Sequence, residues 1–176
     1  MSNVNYDQGE YKWVLGYLSA FEHVNDRRNS PSHFQFERIL QDGSLEDKIN
    51  AHLGQNSYPC RDVQKTTLSS LENASDVLSD AIQAWLFDFM FYKLNKANNT
   101  KLPVWQDPTQ YFNLSVAKMR SDRAIFLSKK IIEICKPSQS YIVKLQTGER
   151  KWYEHGTNFL FTNETNVWWL RLGEVF

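Results

Sequence analysis

Apolar positions recur every three or four residues through roughly the first 136 residues, then every second residue to the end. The helical rhythm starts after Asp7-x-x-Glu10, which reads as a capping box, and runs through Trp13, Tyr17, Ala20, Phe21 and Val24 as one helical face. Ser30-Pro31 reads as a cap with a first-turn proline, opening a short helix that carries Phe36, Ile39 and Leu40. Gly43 ends it. Ser44-x-x-Asp47 starts another helix with Leu45, Ile49 and Leu53, which Gly54 closes. Pro59 is expected to begin a further helical stretch with Val63, Leu68 and Leu71 on one side. After a break near Asn73–Asp76 comes the strongest periodicity: Val77, Leu78, Ala81, Ile82, Trp85, Leu86, Phe89 and Met90, with Phe87 and Phe91 opposite. A helix apolar on both sides belongs between layers. Residues 97–107 read as a loop. Asp107-Pro108 then opens a helical region to about Lys136, with Ala124, Leu127, Ile131, Ile134 and Cys135 inward and Lys129, Lys130 and Glu133 outward.

Beyond Pro137, Tyr141, Val143 and Leu145 alternate along one strand, and Thr147-Gly148 turns into a second at Arg150–His155. Phe159–Thr162 makes a third, and Asn163–Asn166 leads into Val167–Leu172. The expected fold is α+β in a single domain, 1–176. It has an N-terminal bundle of about five to seven helices over about 1–136, and a small C-terminal antiparallel β-meander of three to four strands over about 140–172.

Composition adds material for the core. Aromatic residues make up 14% of the 176, enough to stabilise a fold without disulfides or metal. The N-terminus lacks a charged-then-apolar leader layout, and the longest apolar run, Ala84–Tyr92, is interrupted by Asp88. With only Cys60 and Cys135 available, reduced thiols and a cytoplasmic protein without membrane contact are expected. Formal net charge is zero, but unevenly placed. Residues 1–100 hold 9 Lys/Arg against 13 Asp/Glu, a net of −4, whereas residues 118–151 hold 9 against 3, a net of +6.

Chemistry is sparse along the chain. Arg28-Asn29-Ser30-Pro31-Ser32-His33 resembles the Arg-x4-His motif of HEPN-type ribonucleases, in which both side chains act on RNA from one helix without metal. The resemblance spans six residues, and Pro31 departs from it by placing a helix start between the two. Trp13 to Ala20 is similar to the first helix of small bacterial acid-stress and toxin-immunity proteins, which are usually exported and cysteine-bridged, unlike this chain. His23, His33, His52 and His155 have no ligand spacing, and no Cys-x-x-Cys or glycine-rich phosphate loop occurs, so no metal site and no cofactor are expected. Asp88, set among Trp85, Leu86, Phe87, Phe89, Met90 and Phe91, is expected to need a partner.

The functional expectation is a non-catalytic intracellular binding factor, an accessory, inhibitor or immunity-type protein of the bacterial or phage kind. It would dock a partner protein through the C-terminal sheet and the adjacent basic helix, led by Arg123, Lys130, Arg150, Trp152, Trp168 and Arg171. RNA binding by the same basic and aromatic surface is the alternative. A metal-independent ribonuclease using Arg28 and His33 is the third reading.

Overall fold

A computed structural model describes residues 7–25, 32–55, 60–88, 114–147 and 156–174. In chain order these form α1 (Gln8–Asn25), β1 (Ser32–Ile39), α2 (Leu45–Gln55), β2 (Cys60–Thr67), α3 (Leu71–Ile82), α4 (Leu114–Cys135), β3 (Gln139–Thr147), β4 (Gly156–Thr162) and β5 (Val167–Glu174). The turns of α3 widen into a π-helical segment, Gln83–Asp88. The strands make one antiparallel sheet in the order β1-β5-β4-β3-β2. Four helices and five strands among the described residues replace the expected bundle of five to seven helices with a three- to four-stranded meander.

Two expected helices are edge strands. In β1, Phe34 and Phe36 point to one face and the strand is buried at alternate positions; it pairs along its whole length with β5. Phe36, Ile39 and Leu40 also fit a helical spacing, so the local pattern supports both periods, and the distant β5 partner, Ile39 opposite Val167 and Phe36 opposite Leu170, decides between them. β2 carries β-branched Val63, Thr66 and Thr67 and pairs with β3. Its Lys65 reaches Glu46 on α2, and a lysine on an edge strand discourages pairing with other chains. The strand expected at 150–155 lies outside the described residues.

The sheet is covered on both faces. Phe34, Phe36, Phe159, Phe161, Trp168, Leu170 and Leu172 meet Val14 and Leu18 of α1, Leu78 and Ile82 of α3, and Ala124, Leu127 and Ile131 of α4. On the other face Ile39, Val143, Leu160, Val167 and Trp169 meet Ile49 and Leu53 of α2, on the crossing from one edge strand to the other. Central strands buried on both faces read as unbroken apolar runs, which is why NFLF and VWWLRL show no alternation. The inward face of α4 is the expected one.

Capping sets the helix starts. Asp7 Oδ1 accepts from Gly9 and Glu10 N–H to open α1. Gly43, at φ 110°, takes a left-handed conformation open to glycine, and the next residue starts a reciprocal box: Asp47 N–H donates to Ser44 Oγ, and Ser44 N–H donates to Asp47 Oδ2. Ser44→Ala should cost about 1 kcal/mol in chemical unfolding. Asn163 joins two elements. Its Nδ2 donates to the Cys135 carbonyl at the end of α4 (2.7 Å), while its Oδ1 accepts from Thr165 and Asn166 N–H in the β4–β5 turn. Asn163→Ala should lower stability by about 1–3 kcal/mol, read as an earlier urea midpoint at unchanged slope.

Candidate functional site

The structure divides the four described members of the six expected contact residues between the core and the surface. Arg150 and Trp152 lie outside the described residues. Trp168 and Arg171 are 1% and 2% exposed. Trp168 stacks on Phe36 with centroids 5.3 Å apart and tilts against Tyr11 at 5.6 Å, on the face that α4 covers. Arg171 points to the opposite face, in register with Gln35 of β1 and Asn158 of β4. The expectation that basic helix and ringed strands form one continuous surface is therefore corrected: the helix lies on top of the rings, and its Arg123 and Lys129 are on the exposed side.

Arg123 and Lys130 do lie on the outer side of α4, Arg123 near Tyr17 of α1 and Lys130 over Phe126 of its own helix. Trp13 (41% exposed) stands edge-on to Phe126 of α4 (45% exposed), centroids 5.7 Å apart at 89°. Trp13 continues to Tyr17 at 5.2 Å, Tyr17 to Phe21 at 5.0 Å, and Phe21 to Phe87 at 4.9 Å. Trp13, Tyr17 and Phe21 recur at four-residue spacing and form one ridge. Val14 and Leu18, one residue on, point into the core instead. Tyr17 and Phe21 pack against the edge of the core, and Trp13 belongs to the outer rim. Lys130 Nζ lies 5.9 Å from the Phe126 centroid and is held by Glu10 Oε1 at 3.2 Å and Glu133 Oε2 at 3.1 Å, contacts that raise its pKa. Burial raises the Tyr17 hydroxyl and the charge of nearby Arg123 pulls it back. The rings are thus fixed by one another and rimmed by two cations.

A second feature lies where β1 meets α2. Glu37, Arg38, Ile39, Leu40, Gln41, His52 and Gln55 line an open groove of about 440 Å³. His52 is buried against Trp169, centroids 5.1 Å apart, with Nε2 3.4 Å from Glu37 Oε1. Burial lowers the imidazole to about 4 and raises the Glu37 carboxyl, although Gln35 donates a hydrogen bond to it. Near neutrality His52 is therefore uncharged beside a carboxylate. Further along β1, Phe34 N–H donates to Glu22 Oε1 and the Tyr11 hydroxyl donates to the Phe36 carbonyl, so α1 occupies that part of the sheet edge.

The remaining candidates do not assemble into chemistry. His33 stands on strand β1, its Nδ1 3.3 Å from Glu22 Oε1, and Arg28 lies outside the described residues; the helical setting implied by the ribonuclease resemblance is not formed at His33. Asp88 ends the π-helical segment, and its side chain is outside the described part. The Cys135 thiol is buried and pushed well up by that burial, which keeps it unreactive. Among the described residues no three His, Cys, Asp or Glu side chains cluster as a metal site, and no helix is long and apolar enough to cross a membrane. No protein-family model, curated protein or solved structure matches the chain.

Proposed function

We propose that this protein is a non-catalytic binding factor that docks a partner protein through the ridge shared by α1 and α4: Trp13, Tyr17 and Phe126, with Arg123 and Lys130 at the rim. The observation that carries the reading is the pair of exposed rings, Trp13 and Phe126, locked edge to face between two helices. Large exposed rings held rigid by their neighbours lose little entropy on contact, and Trp, Tyr and Arg dominate the energetic centres of protein interfaces. The fitting partner surface is apolar at its centre with an acidic residue opposite Arg123, whereas the charge of Lys130 is already met by Glu10 and Glu133.

The test compares affinity capture by the native protein with capture by Trp13→Ala, Phe126→Ala and Arg123→Glu. These three positions are exposed, so the variants should fold. A protein recovered by the native chain and lost with all three supports the reading; one retained by all three refutes it. Added salt separates the RNA alternative: binding to phosphates weakens steeply with ionic strength, whereas an aromatic protein interface changes little.

A further inference from the structure

We propose that the groove between β1 and α2 is a binding site for a donor-rich cation, a guanidinium or primary ammonium group, with Glu37 as its counter-charge. The groove's volume of about 440 Å³ suits a side chain or a small molecule. Glu37 is half-buried and faces this space with 34% of its side chain still exposed. Its contacts all fall on Oε1, which takes the Gln35 amide and approaches His52; Oε2 has no hydrogen-bond partner among the described residues. The imidazole next to it is neutral and supplies no compensating charge. A carboxylate withdrawn from water without a cationic partner is costly, and a cation entering from solvent would relieve that cost.

Lining groups favour donors as well. Gln55 Oε1 and Gln41 form an amide pair across the rim, with Gln41 Nε2 donating at 2.6 Å, so Gln55 retains acceptor capacity. Ile39 and Leu40 provide apolar wall for an aliphatic stem, Leu40 being 71% exposed. Arg38, one residue along the strand from Glu37, is engaged through Nη1 by Asn166 Oδ1 at 3.3 Å. This arrangement of acceptor, apolar wall and neutral imidazole matches the side chain of arginine or lysine, or a free alkyl guanidine or amine.

Titration followed by NMR signals of His52 and Gln55 tests the site, using Nα-acetyl-arginine methylamide, its neutral isostere Nα-acetyl-citrulline methylamide, and agmatine. The arginine probe should saturate in the millimolar range and bind about tenfold more tightly than the citrulline probe, the equivalent of about 1.4 kcal/mol. Glu37→Gln should erase that preference, while Gln35→Ala, which removes the donor to Oε1 and leaves the carboxylate in place, should keep it. If agmatine binds as well as the arginine probe, free small cations are the natural occupants; if it binds more weakly, the cation belongs to a peptide chain. Equal responses to arginine and citrulline, a preference that survives Glu37→Gln, or no response to any probe would overturn the site.

Discussion

Trp168→Ala should destabilise the protein by about 3–5 kcal/mol, enough to leave much of it unfolded at ordinary temperatures. The indole is 1% exposed, stacked on Phe36 and packed against Tyr11 beneath the helical layer. Truncation would leave a cavity bordered by three elements, α1, β1 and β5, each fixed by other contacts and unable to collapse inward. A surface ring would behave oppositely, with stability changing by less than about 0.5 kcal/mol. Urea unfolding of the variant therefore separates a structural role for Trp168 from the contact role that its sequence neighbourhood implied. A near-native midpoint would mean that the indole is not in the core.

Acid should weaken the fold through His52. Its folded pKa of about 4 lies below the ordinary 6.5, so the unfolded chain binds the proton first as pH falls. Stability is accordingly full above pH 6.5, declines between 6.5 and 4, and levels off below. Water in the adjoining open groove screens the ring and softens the loss. A loss of about 2 kcal/mol across that window is expected. Glu37 works in the opposite sense: its raised pKa lets the folded state hold a proton that the unfolded chain releases, so protonation there restores some stability as pH falls. His52→Phe keeps a ring against Trp169 and removes the titration, and its stability should decline less than that of the native protein between pH 6.5 and 4. Parallel curves would refute the assignment.

What the sequence revealed depended on how local each determinant was. The start of α2 was legible because its cap is written in four consecutive residues, Ser44 to Asp47. The inward face of α4 was legible because 22 helical residues repeat the same spacing. The strands β1 and β2 were missed because their partners come from distant segments, β5 and β3, and short amphipathic stretches satisfy two periods at once. Covering both sheet faces was hidden too. Trp168 and Trp169 point opposite ways, and both are buried because α2 closes the second face.

The candidate site divided along the same line. Charge density pointed to Arg123 and Lys130, which do lie on the outer side of a helix. The rings beside them carried no such pointer, because Trp13, Tyr17 and Phe21 share one helical face by spacing, and only the packing of α1 on the sheet leaves Trp13 outside while Val14 and Leu18 enter the core. Glu37 and His52 gave no signal at all: they stand fifteen positions apart on a strand and a helix.

The docking ridge is tested most directly by a photo-crosslinking residue placed at position 126 and, separately, at position 50 on α2, beyond the opposite face of the sheet. Irradiation in the native host should give a discrete adduct with one protein from position 126 and none from position 50. An equally strong adduct from position 50, or no adduct from position 126 when the same partner co-purifies, would contradict docking through the ridge of α1 and α4.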